Sequence, residues 1–182
     1  MPTALAAALL GLAACSADLQ IDRVCATTSS GYPIPAAPGP APVTAVTLPA
    51  ERLTFAFGDA VPDTSRSGVH DVQVLARSLD LSSTLSTDFL TSVTVAVVPP
   101  AGSALPQKTV GTYQRPASGA GKNLSVPADG TDLFPYLEAG RLTLEVSGEA
   151  DPSRLPPSAS SLQAAACAEV KGSVNYFKAA GL

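Results

Sequence analysis

The sequence has no tryptophan, one methionine and one histidine, and its aromatic rings are limited to five Phe and four Tyr among 182 residues. A sugar-binding platform of exposed rings has little to draw on; Tyr32 and Tyr113 are the only tyrosines expected outside apolar positions. Any histidine-dependent nucleophilic or acid–base mechanism must use His70. Charge is also sparse. Charged residues make up 14% of the chain, and the eleven Lys and Arg are scattered singly against fifteen Asp and Glu, for a net charge of -4. With no basic stripe there is no electrostatic footprint for a phosphate backbone, so nucleic acid is not an expected partner. The three cysteines form no CxxC pair and no Cys/His cluster, so neither a metal site nor a cofactor is expected.

Hydrophobic residues make up 46% of the chain, with seventeen Pro and fourteen Gly spread through it. That is too apolar for a disordered chain and too often broken for a membrane bundle. Between the breaks lie short stretches rich in Val, Leu, Thr and Ser, the composition of strands joined by turns. "ADLQIDRVC" reads as a short strand ending near Cys25, followed by "SSGYPIPAAPGPAP" (Ser29 to Pro42), whose prolines favour an extended crossing loop. Val43 to Leu48 and Arg52 to Phe57 are strand candidates, the second placing Leu53, Phe55 and Phe57 on one side. Val69 to Leu81 and Thr91 to Val98 give the strongest strand patterns and should be central. Between them "SSTLSTDFL" should be a loop or a helical turn with Phe89 and Leu90 reaching to the core.

Lys108 to Gln114 and Lys122 to Val126 look like edge strands. In "DGTDLFPYLEAG", Asp129 and Gly130 make a turn, Thr131 or Asp132 can cap a helix, and Gly140 suits its stop, so about two helical turns should cross between sheets as a plug. "RLTLEVSG" and "CAEVKGSVNYF" alternate as half-exposed strands. The expected fold is all-β: an antiparallel β-sandwich, immunoglobulin-like or jelly-roll-like, with seven to nine strands and one short helix.

From Ala4 to Ala14 the chain contains only Ala, Leu and Gly. This apolar run has signal-peptide length and falls short of the roughly 20 residues that span a bilayer as a helix. It ends in "LAAC", Leu12 to Cys15, which resembles the lipobox of bacterial lipoproteins. The resemblance covers about the first sixteen residues and departs from the family in having no Lys or Arg before Arg23. It implies that residues 1–14 are removed, that the Cys15 thiol carries diacylglycerol and that its amino group is acylated. Two or three chains anchor firmly, since each buried methylene contributes on the order of 0.8 kcal/mol. Ser16, being other than Asp, implies sorting to the outer membrane. Residues 15–42 would then form the lipidated N-terminus, first strand and crossing loop, and residues 43–182 the sandwich.

If Cys15 is consumed by lipid, Cys25 and Cys167 remain as an even pair in a compartment where disulfides persist, and they are expected to join. The bridge would staple the first segment of the mature chain to the last.

The other motifs carry little chemistry. His70 and Asp71 are adjacent, but on a regular strand successive side chains point to opposite faces, so Asp71 should not orient the His70 ring. "PASGAGKN" fails as a phosphate loop, with Pro116 where glycine is needed and Asn123 where Ser or Thr is needed. The pairs Asp59/Asp63 and Asp129/Asp132 match no defined Ca²⁺ loop and read as turn formers. The function expected from the sequence is a non-catalytic, lipid-anchored β-sandwich at the cell envelope with a binding or structural accessory role. It would be held to the membrane by its N-terminal lipid and engage an envelope protein. The alternative is an envelope hydrolase or Ca²⁺-dependent module using His70 or the acidic turns.

Overall fold

A computed structural model describes residues 16–39, 44–57, 68–119, 121–138 and 141–175. Its strands in chain order are β1 (Ser16–Thr27), β2 (Tyr32–Ile34), β3 (Val46–Phe55), β4 (Val69–Ser82), β5 (Leu90–Val98), β6 (Lys108–Gln114), β7 (Asn123–Pro127), β8 (Leu142–Ala150) and β9 (Ser160–Asn175), with one short helix, α1 (Phe134–Glu138). They form two antiparallel sheets packed face to face. The first runs β1-β9-β4-β7, with β2 also on β9, and the second runs β3-β8-β5-β6. The expected all-β sandwich with one short helix is the fold observed.

Alternation in the sequence becomes the core directly. Leu53, Phe55 and Phe57 are buried, as are Leu142, Leu144 and Val146 on β8 and Val93, Val95 and Val97 on β5. Each strand thus offers one apolar face to the other sheet. Phe89 and Leu90 do reach the core. In α1, Asp132 is the residue that caps: its Oδ1 accepts from the Phe134 amide at 2.9 Å and also from the Val74 amide at 2.9 Å, tying the helix start to β4. Leu133 and Tyr136 are buried, and the Tyr136 hydroxyl donates to the Pro106 carbonyl at 2.8 Å. The helix joins β7 of one sheet to β8 of the other as the plug the sequence suggests; Gly140 lies outside the described residues.

Three elements differ from expectation. The two candidates around Pro49 are one strand, β3, with a register shift between Leu48 and Glu51 that absorbs the proline. The proline-rich segment contains β2, which pairs with β9 and buries Tyr32 and Ile34, so Tyr32 is a core residue and not an exposed ring. Strand β9 starts at Ser160 and lies between β1 and β4. Its run of alanines carries little strand propensity, and the two flanking strands impose the conformation.

The sandwich's two lateral edges are built differently. On one, β6 and β7 close the gap with backbone contacts: Gly111 bridges to Ala128, and the Asp129 amide donates to the Val110 carbonyl at 2.8 Å. A Cβ on Gly111 would sit 2.7 Å from the Pro127 carbonyl oxygen, so the approach requires glycine. On the other, β1 and β3 end their sheets without pairing to each other, and β2 covers part of the seam. There the Tyr32 hydroxyl donates to the Pro49 carbonyl at 3.2 Å. Burial, and secondarily the charge of Glu51, pushes the Tyr32 phenol up to about 12.

Candidate functional site

Cys25 on β1 and Cys167 on β9 are directly opposed in the strand register, and their sulfurs are bonded at 2.07 Å. The disulfide lies on the outer face of the first sheet, where Arg23 extends over it: Nε is 3.4 Å from the Cys25 sulfur and Nη2 is 3.5 Å from the Cys167 sulfur. Arg23 Nη2 also pairs with Asp80 Oδ2 at 2.7 Å, and the Ser125 hydroxyl donates to Asp80 Oδ1 at 2.6 Å, so the bridge is embedded in a chain of polar contacts across β1, β4 and β7. Cys15 and the residues before it lie outside the described residues.

Beside the bridge, Glu169 is only 2% exposed although it points away from the core. Arg77 pairs with it from β4, Lys171 Nζ lies 3.1 Å from its Oε1, and Gln20 Nε2 donates to it at 3.0 Å from β1. The alternation of "CAEVKGSV" suggested a solvated Glu169. It is covered because β9 is interior to its sheet and long side chains from both neighbours fold over it. Two cations and an amide satisfy the buried carboxylate.

His70 is where strand regularity fails. Its Nδ1 lies 2.7 Å from Asp71 Oδ2, so Asp71 does meet the ring, contrary to the expectation from simple alternation. The reason is a bulge. His70 pairs with Ser173 and Gln73 with Lys171, leaving Asp71 and Val72 opposite Gly172 alone, and Asp71 adopts φ 55°. The left-handed residue turns its carboxylate back toward the histidine, while Ser173 stands across the strand pair from His70. Asp18, Gln20, Asp71, Lys171 and Ser173 line a shallow groove of about 270 Å³ there. The dyad is largely open to water, with side chains 48% and 82% exposed, which is a poor setting for electrostatic catalysis.

The acidic turn Asp129–Asp132 is occupied with its own structure. Asp129 Oδ1 accepts from the Thr131 amide at 2.8 Å and the Thr131 hydroxyl at 2.5 Å, and Asp129 Oδ2 lies 3.6 Å from Lys108 Nζ. Some desolvation opposes ionisation, but the Thr131 hydrogen bonds and Lys108 outweigh it and lower the Asp129 carboxyl below its usual range. Asp59 and Asp63 lie outside the described residues. Among the described residues no three His, Cys, Asp or Glu side chains come together as metal ligands. The glycine-rich loop after β6 is a structural fastener: the Gly121 carbonyl accepts from the Thr87 amide at 2.5 Å and the Thr87 hydroxyl at 3.0 Å. Tyr113, the other expected exposed ring, is half-buried, and burial raises its phenol first.

A second groove, of about 310 Å³, opens where the turn after β1 meets the free edge of β3. The Thr27–Ser30 turn, Arg52, Thr54 and Arg141 line it, with no carboxylate among the described lining residues. Scattered single arginines gave no sign of this in the sequence; Arg52 and Arg141 meet only because β3 and β8 pair.

No protein-family model and no curated protein sequence matches this chain. Among the described residues, no helix is long and apolar enough to cross a membrane.

Proposed function

We propose that this protein is a lipid-anchored, non-catalytic β-sandwich of the bacterial cell envelope, serving as a binding or structural accessory. The observation that carries the proposal is the Cys25–Cys167 disulfide, since such bonds form and persist outside reducing compartments. It accords with the lipobox-like Leu12–Cys15 and leaves Cys15 as the remaining thiol. Cys15 stands one residue before β1, and the bridge ties β1 to the interior strand β9. Tension on an anchor at Cys15 would therefore pass into the centre of a sheet and not onto a loosely held terminus. Ser16 favours the outer membrane, with the domain on its periplasmic side or at the surface.

Metabolic labelling with an alkyne-tagged fatty acid tests this. The mature chain should carry label at Cys15, begin at Cys15 and fractionate with membranes, and Cys15→Ser should lose the label and the membrane association. Soluble cytosolic protein with an unmodified Cys15, or with Cys25 and Cys167 as free thiols, overturns the reading.

A second reading, an envelope hydrolase using His70, is favoured by the 2.7 Å contact with Asp71 and by Ser173 across the strand pair. His70→Ala should abolish any ester or glycoside hydrolysis that the purified protein displays; undiminished turnover removes this reading.

A further inference from the structure

We infer that the groove between the β1–β2 turn and the edge of β3 is a binding site for a phosphate ester. This rests on the accessory-binding reading above and gives it a ligand class. The chain as a whole is acidic, with net charge -4, yet the described residues that line this groove include two guanidinium groups and no carboxylate. Arg52 is held through its Nε by Glu145 Oε2 at 3.2 Å, which steadies the side chain and leaves its terminal amino groups to donate elsewhere. Arg141 makes no ion pair among the described residues. Guanidinium forks match the oxygens of phosphate in a paired geometry, and their charge-assisted hydrogen bonds are the strong ones.

The hydroxyls complete the donor set. Thr27, Thr28, Ser29, Ser30 and Thr54 all border the groove, and each hydroxyl can turn its proton toward an anionic oxygen. A phosphate ester presents three such oxygens, more than a carboxylate can offer to so many donors. The turn is also preformed. The Ser30 amide donates to Thr28 Oγ1 at 3.3 Å, the Thr28 amide donates to the Ala164 carbonyl at 3.3 Å, and Gly31 lies so close to β9 that a Cβ there would be 2.6 Å from the Leu162 carbonyl oxygen. The backbone that carries the turn's donors is thus held in place before a ligand arrives. At about 310 Å³ the groove is near the lower end of small-ligand sites, with room for a phosphorylated small molecule and not just a bare ion. The groove on the same sandwich beside Asp18 and Asp71 has comparable size but carries carboxylates, and would repel the same ligand.

The test is calorimetric titration of the full chain in neutral detergent with inorganic phosphate, glucose 6-phosphate and a short-chain phosphatidic acid, with glucose as the uncharged control. Saturable binding of a phosphate-bearing probe is expected, weakened roughly tenfold or more by Arg141→Gln. Lys122→Gln, in the β6–β7 loop, should leave it unchanged. The tightest probe identifies the source as free phosphate, a soluble ester or a lipid headgroup. Saturable heat with none of the three, equal heat with glucose, or binding that Arg141→Gln leaves intact overturns the site. Fatty-acid labelling of Cys15 is read separately, so loss of phosphate binding and loss of the anchored reading are distinguishable.

Discussion

The two lateral edges of the sandwich solve one problem with different chemistry. At the β6–β7 edge the sheets meet through backbone hydrogen bonds, made possible by glycine at position 111. At the β1–β3 edge no backbone ladder joins the sheets among the described residues. Order there depends on side chains, with Tyr32 and Ile34 plugging the seam, and on a covalent bond from β1 to β9. The first edge is bridged by backbone at Gly111 and Asp129, whereas the second, held by side chains and a disulfide, has no such bridge between β1 and β3. The candidate ligand groove opens on that second edge. The difference teaches that the stability of the unclosed side is concentrated in a few removable groups.

Breaking the disulfide should give the largest effect. Closing a loop across 142 residues of separation is worth about 4 to 5 kcal/mol in the chain-entropy model. Cys25→Ser together with Cys167→Ser should lower the guanidinium unfolding midpoint accordingly, and a reductant should shift the wild type but not the double variant. Equal midpoints would mean that β1 contributes nothing to the fold beyond its ladder.

Tyr32→Ala comes next, at about 3 to 4 kcal/mol for emptying a fully buried aromatic site. Tyr32→Phe keeps the ring and removes only the hydrogen bond to Pro49, costing about 1 kcal/mol. The same variant carries a pH signature. A phenol whose folded value, about 12, exceeds its usual 10.0 stabilises fully below pH 10, and that contribution is lost as pH rises from 10 to 12. Stability measured across that window should therefore fall less steeply in Tyr32→Phe than in the wild type. Identical slopes would show that the seam does not hold the phenol protonated.

At the backbone-closed edge, Gly111→Ala forces a methyl against the Pro127 carbonyl and should cost about 1 to 3 kcal/mol. Its effect should be the same with or without reductant, because the two edges share no partner. A reductant-dependent effect would couple the edges and undo the contrast drawn between them.

How much of this was legible in the sequence depends on the range of the interaction. Val69 to Leu81 and Thr91 to Val98 announce themselves through local composition and pattern, and the cysteine count, with Cys15 assigned to lipid, points to the partners of the bridge. Tyr32 was misplaced because a three-residue strand among prolines has no period to detect; only its pairing with Leu162 gives it a place in the core. The cover over Glu169 is not legible, because alternation reports which way a side chain points and not what folds over it. The arginine groove joins residues from β3, the turn after β1 and the start of β8, a coincidence that only the strand pairing creates.

The smallest expected effect lies on an interior strand and calibrates both edges. Asp71 holds φ 55° in the β4 bulge, a conformation that L residues other than glycine adopt at a cost, although Asp tolerates it better than most. Its return contribution is the contact with His70, which is largely exposed and therefore weak. Asp71→Gly removes the steric cost at the bulge and forfeits only that surface pair, while glycine's extra freedom in the unfolded chain offsets part of the gain. The net should be stabilisation of about 0.5 kcal/mol, read from the unfolding midpoint and unchanged by reductant. If Asp71→Gly is instead destabilising by more than about 1 kcal/mol, the His70–Asp71 contact is stronger than its exposure implies, and the strain is maintained by an interaction that a functional role for the pair would explain.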